Sequence, residues 1–466
     1  MELMNQTVKN LRQSLDRREI SARELALEYL DLIGELNPAL QALAGVYDEG
    51  EVLACAENAQ KLIDKGNASA LTGIPAAISD NILTSGRATS CASKMLENFI
   101  PPFDADVIET LKETECVILG KTVMDEFGIG HSPKSGAAVG AGLAVFALGT
   151  DTGGALGQSA AFNGLTGLRP TYGRVSRFGL ASFASSLDQI GPIAQTAEDC
   201  AMILNVISNP DKRDAVCFGR NNRGQAEDFT AKIGAGVKGL KIAVPEQFLN
   251  HQTISEQTKN AVLDAAKEFE NQGAVLINSA FERASKTEMF DYAVPAYYII
   301  SSAEASSNLS RYDGVNYGLR GVGETYYEQI ADSRGRGFGD EVKRRILFGN
   351  FVLSDNNYNN YFKKALALRQ KIKAEYDEIF KTVDIILTPT LPKISETFDY
   401  SDPASMYHTD ICTIPPALAG LPSASTTCGY TTCGLPIGMT LTGKKSDEQT
   451  VLQVADCFER IFNPDL

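Results

Sequence analysis

Apolar positions along the first 65 residues recur at helical spacing. Ser21-Ala22-Arg23-Glu24 has the form of a capping box, and Leu25, Tyr29, Leu32 and Ile33 follow on one face. A second helix is predicted from Val52, Leu53, Ala56, Ala59 and Leu62, stopping near Gly66. From Thr72 the texture changes to short apolar runs broken by glycine. Val117-Ile118-Leu119-Gly120 and Ala144 to Gly149 read as buried strands, and so do Leu240 to Val244, Ala274 to Ile277 and Val383 to Leu387. Between the third and fourth of these, Ser255 opens a helix through Val262, Ala266 and Phe269 that ends near Gly273. Strand, helix and strand within about 40 residues form a βαβ unit, which requires a partly parallel sheet. Two further helices are predicted within 340–380. The polar stretch 207–236 reads as an exposed connection that need not divide domains. There is no internal repeat.

Composition narrows the function classes. The chain has 466 residues and a formal charge of −15, which argues against a basic nucleic-acid-binding stripe. No apolar run of about 18 residues is present, so no transmembrane helix is expected. The charged N-terminus lacks the apolar segment of a secretory signal. The nine cysteines form no C-x-x-C pair, so the expectation is reduced thiols, no metal site and a cytoplasmic setting. With three histidines, His131, His251 and His408, histidine-based catalysis has few candidates.

The densest unusual composition is the glycine-rich segment 128–191. At its centre, Gly149 to Gln158 reads GTDTGGALGQ. Consecutive N–H groups at Thr152, Gly153 and Gly154 could form a nest for an anion or a developing oxyanion. The alternative is a purely structural turn. The phosphate-loop pattern G-x-x-x-x-G-K-[ST] is absent, and no cofactor is expected.

Longer stretches carry a family resemblance. Gly73-Ile74-Pro75 with Asp80-Asn81, TSCASKMLENF at 89–99, VMDEFGIG at 123–130, GTDTGG at 149–154 and the whole of 167–193 resemble the amidase-signature family. Within it the chain is most similar to the branch formed by the A-type subunits of glutamyl-tRNA(Gln) amidotransferases. The stretches 306–318, 337–346 and 413–423 continue the likeness over nearly the full length. The resemblance implies one α/β domain over 1–466, a mixed β-sheet covered by helices on both sides. Its parts would be an N-terminal helical part (1–70), a signature core (71–200) and the remainder of the sheet with its covering helices (237–466). It also implies B- and C-type partner subunits and a small amino acid or amide as ligand.

The family cleaves amides with a serine nucleophile, a second serine and a lysine base. The chain departs from that pattern at each place. Ser79 stands where the family has lysine, Ala155 where it has the nucleophile and His131 at the count of the shuttle serine. Gly157 replaces an arginine, and the loop before His131 is shorter by roughly two dozen residues in the resemblance. The expectation is an inactive relative that keeps a glutamine-type binding pocket. The alternative is an active amidase or amidotransferase subunit with relocated groups drawn from His131, Ser132, Lys134, Ser135 or Cys91. Asp410 and Arg344 or Arg345 match the groups that hold the ammonium and carboxylate of the family's amino acid, with Arg344 favoured.

Overall fold

The computed structural model describes residues 4–130, 133–222, 225–277, 290–394 and 409–463. Its first six strands are β1 (Leu43–Val46), β2 (Pro75–Ser79), β3 (Val117–Thr122), β4 (Phe146–Asp151), β5 (Thr166–Arg169) and β6 (Gln189–Ala194). A separate antiparallel ribbon, β7 (Asn221–Asn222) and β8 (Gln225–Ala226), follows. The remaining strands are β9 (Lys241–Ala243), β10 (Val275–Leu276), β11 (Ile385–Pro389), β12 (Ser423–Tyr430) and β13 (Pro436–Gly443). All but the ribbon join one eleven-stranded sheet in the order β1-β3-β2-β4-β6-β5-β12-β13-β11-β9-β10.

The sheet is mixed. β2 runs parallel to both β3 and β4, and β9 runs parallel to both β10 and β11. The pairs β4/β6, β5/β6, β5/β12 and β12/β13 are antiparallel. The β9–helix–β10 unit read from the sequence is present, its helix Glu256–Asn271 capped by Ser255. β2, β3 and β6 are buried at every residue, which explains why Val117 to Gly120 in β3 reads as an apolar run without alternation. β5, in the 71–200 stretch, is hydrogen-bonded to β12, in the 237–466 stretch.

Two apolar clusters pack the molecule. One lies along the sheet and joins Val8, Leu11 and Leu15 to Val451, Leu452 and Phe458. The other gathers Phe127, Phe183, Tyr297, Tyr298, Ile300 and Ile414 under the helices of 293–379. Among the described residues no helix is long and apolar enough to cross a membrane.

Buried carboxylates tie the N- and C-terminal helices to helix Ala197–Ile207. The carboxylate of Asp199 accepts the Lys9 N–H at 3.2 Å, at the start of helix Val8–Asp16. That of Glu459 accepts the Ala197 N–H at 2.8 Å. Burial pushes the pKa of each up to about 7. In the native state these groups therefore hold protons that the unfolded chain releases above about pH 4, and stability falls as pH rises from there to about 7. Asp211 and Asp214 act oppositely: burial is outweighed by hydrogen bonds from Arg213 and Arg177, so their stabilisation is lost on the acid side. The expected result is a melting temperature that peaks in mildly acidic buffer and is several degrees lower at pH 8 than at pH 5.5 (about 1 kcal/mol shifts Tm by 2–4 °C or less at this size). A flat or rising profile across that window, measured by calorimetry, would refute the assignment.

Candidate active-site cleft

β4 ends at Asp151, and the chain turns through Thr152, Gly153 and Gly154 into helix Ala155–Asn163. The turn is locked from within. Asp151 is 1% exposed, and its carboxylate accepts the N–H groups of Gly154 at 2.9 Å and Leu156 at 3.0 Å. Arg169, from β5, pairs with the same carboxylate and donates to the Asp151 carbonyl at 2.8 Å and the Leu187 carbonyl at 2.8 Å. Gly154 has φ of +122°, and a Cβ there would overlap Thr413. Thr152 Oγ1 donates to Asp188 Oδ1 at 2.7 Å, and burial raises the pKa of Asp188 to about 6. The three-amide nest is thus corrected to two. Thr152 and Gly153 line a cleft, whereas the Gly154 N–H is spent on the buried carboxylate of Asp151.

The cleft lies where the two apolar clusters meet and encloses about 790 Å³, including its open mouth. Ser79, Ala155, Ser135, Asp410 and Arg345 all line it, although they come from β2, three separate helices or helix ends, and the segment before Thr413. Among the described residues Ser79 Oγ has one side-chain partner, Met124 Sδ, at 3.7 Å. Ser135 Oγ and Thr122 Oγ1 are 2.9 Å apart. Asp410 is held between Gln158 Nε2 at 3.1 Å and the Tyr298 hydroxyl at 3.0 Å. Arg345 lies over the Tyr298 ring, 4.2 Å from its centroid, and donates from Nε to Glu341 at 2.7 Å. Among the described residues its buried Nη1 has no hydrogen-bond partner, and the residue lines the cleft.

The preference for Arg344 is corrected. Arg344 is 54% exposed, pairs with Glu341 on the outer side of helix Asp340–Leu353 and does not line the cleft; Arg345 does. One step along a helix turns a side chain by about 100°, so only one of two adjacent arginines can face inward.

Of the candidate relocated groups, His131 and Ser132 lie outside the described residues. Lys134 Nζ donates to the Leu40 carbonyl at 2.8 Å on the surface. Cys91 is fully buried, is not part of the cleft wall, and burial pushes its thiol well up, so it has little thiolate at neutral pH. Ser135 alone of the described candidates reaches the cleft. Sequence reasoning missed Gln158, Tyr297, Tyr298 and Met124. Gln158 stands beside Gly157 in a motif already singled out, and the paired tyrosines lie in the apolar first half of helix Ala293–Asn308.

Gly157 faces away from this polar wall. A Cβ there would overlap Ser425 Oγ. That hydroxyl bonds Thr440 Oγ1 at 2.8 Å, which in turn bonds Thr390 Oγ1 at 2.9 Å.

A family model described as Amidase matches residues 24–135 and 130–452. The chain belongs to the amidase family. The break between the two matched stretches falls at 130–135, where the resemblance places the shortened loop. The A-type subunit of glutamyl-tRNA(Gln) amidotransferase from Ruminiclostridium cellulolyticum is 42% identical over 489 positions, covering 99% of this chain and 98% of the relative. Its counterpart from Carboxydothermus hydrogenoformans is 43% identical, covering 99% and 98%. The crystal structure of the Thermotoga maritima A-type subunit superposes with a TM-score of 0.77 at 35% identity, over 99% of this chain and 95% of that one. A peptide amidase from Stenotrophomonas maltophilia shares the fold, with a TM-score of 0.78 at 24% identity over 98% and 96%. The amidase-family chain is therefore similar to the A-type amidotransferase subunits along its whole length.

Proposed function

We propose that this chain is an A-type amidotransferase-like member of the amidase family that holds a small amino acid or amide in its cleft without cleaving it. The observation that supports the reading is the methyl group of Ala155 at the helix N-terminus, in a cleft where Ser79 offers a hydroxyl against a thioether and no amine. An acyl transfer needs a nucleophile and a base within hydrogen-bond reach of each other. Recognition does not. Asp410 offers a carboxylate for an ammonium, Arg345 offers a guanidinium for a carboxylate, and the turn at Thr152 and Gly153 lines the same cleft where an amide oxygen would be held. The same likeness supports an assembly role with B- and C-type amidotransferase subunits in the cytoplasm.

Calorimetry with glutamine, asparagine and related amides, run beside ammonia detection, tests the reading. Binding without ammonia is the expected outcome. Arg345→Gln is expected to weaken binding by roughly 10- to 100-fold, the worth of a charge-assisted pair, while Arg344→Gln leaves it unchanged. Equal effects of the two variants would overturn the assignment of Arg345. For the assembly role, co-expression with B- and C-type subunits followed by light scattering should give a complex larger than the 50.2 kDa chain. A monomer throughout would count against that part.

A further inference from the structure

A second cleft, remote in composition from the first, is lined by Tyr172, Ser186, Arg369, Lys373, Leu418 and Lys445 among others, with about 670 Å³ of open space. Three cationic side chains line it and no carboxylate does, on a chain whose formal charge is −15. Arg369 and Lys373 stand four residues apart on helix Lys363–Ile379 and so share one face. Lys445 approaches from the turn after β13.

Arg369 is the unusual member. Its guanidinium donates from Nε to the Leu418 carbonyl at 2.8 Å, from Nη1 to Ser186 Oγ at 2.7 Å and from Nη2 to the Ser186 carbonyl at 2.7 Å. All three acceptors are neutral, and three of its five N–H groups are used, leaving two. A largely buried guanidinium ordinarily meets a carboxylate directly. The nearest one, Glu304, is one step behind and takes the N–H and hydroxyl of Ser186. The other acidic groups around the cleft are engaged elsewhere. Asp188 accepts Thr152 and the Ala184 N–H, Asp447 lies by Lys444 and Lys232, and Glu448 is paired with Arg174. Lys373 and Lys445 are exposed, and neither is ion-paired among the described residues. The carbonyls of Leu418 and Gly420, which could repel an anion, are covered by Arg369 and by the Tyr172 N–H at 3.2 Å.

We propose that this cleft binds a small phosphoryl anion, with the two remaining Arg369 N–H groups meeting the phosphate oxygens and Lys373 and Lys445 closing over them. Arginine presents paired donors that match a phosphate, and lysines add point charges. The phosphoryl group could belong to free phosphate or pyrophosphate or to a nucleotide, and the ligand panel separates these sources.

The experiment is calorimetry of the full chain at low salt with inorganic phosphate, pyrophosphate, AMP and ATP. At least one should bind, with affinity falling as salt is raised. The Lys373→Glu/Lys445→Glu double variant alters two exposed positions and should fold normally by circular dichroism while binding about tenfold more weakly or less still. Arg369→Gln should abolish binding, but this residue also ties three segments together, so the lysine variant carries the decision. No binding of any of the four ligands to the folded protein, or binding that the double lysine variant leaves unchanged, would overturn the proposal. Amide binding in the first cleft is read separately with glutamine and is expected to be unaffected by the lysine variant.

Discussion

Glutamine incubated with the purified protein should remain intact, and Ala155→Ser should not start its hydrolysis. A serine at 155 would stand at the start of helix Ala155–Asn163 with its hydroxyl in the cleft. No described base is placed to take its proton. Ser79 is 3% exposed and touches Met124; Lys134 is on the Leu40 carbonyl; Lys121 bonds the Ile82 carbonyl and is not part of the cleft wall. Removing a nucleophile together with its base commonly costs about 10⁶-fold in kcat, and the remaining oxyanion donors retain about 10³–10⁴ over water. Here one of those donors, the Gly154 N–H, is already committed to Asp151. The measurement is coupled ammonia detection with glutamine, asparagine and simple amides on the unmodified protein and on Ala155→Ser. Turnover by the unmodified protein that disappears in Ser135→Ala or His131→Ala would establish a relocated site and end the binding-only reading.

The second large effect is expected at Arg169. Arg169→Ala should cost about 3–5 kcal/mol, because it leaves the carboxylate of Asp151 buried without its cation. The loss is local in origin and broad in reach. Asp151 fixes the N–H groups of Gly154 and Leu156, and Arg169 also fastens the Leu187 carbonyl, so β4, β5 and the segment before β6 all loosen. Amide affinity in the cleft should fall with stability, since Thr152 and Gly153 stand on this turn. Denaturant unfolding measures the effect, with Arg344→Ala as an exposed control expected within about 0.5 kcal/mol of the parent. A loss below about 1 kcal/mol for Arg169→Ala would mean that the ion pair does not hold the turn.

Part of this architecture was legible in the residues. The β9–helix–β10 unit could be read because an amphipathic helix with a serine cap stands between two apolar runs. The strand β12 could not: its residues, SASTTCGY, are small and hydroxylated, and several of its hydroxyls bond those of β13 across the sheet. β13 does alternate, with Ile437, Met439 and Leu441 in the core between Gly438, Thr440 and Thr442, and sequence reasoning passed over it. At the cleft, the glycine-rich turn, Ala155, Ser79 and Asp410 were all identified from motifs. The choice between Arg344 and Arg345 depended on the rotation of one helix about its axis, set by how Val342, Ile346 and Val352 pack inward. The Arg169 partner of Asp151 lies 18 residues away in sequence and meets it only because β5 and β4 both flank β6.

The contact at Gly157 limits what a single substitution can achieve. Any side chain other than hydrogen at this position now runs into Ser425, whose hydroxyl is engaged through Thr440 to Thr390. Gly157→Arg would therefore displace Ser425 and disturb three linked buried hydroxyls. On the binding-only reading proposed above, amide cleavage in this cleft would therefore require coordinated change at several positions rather than one substitution.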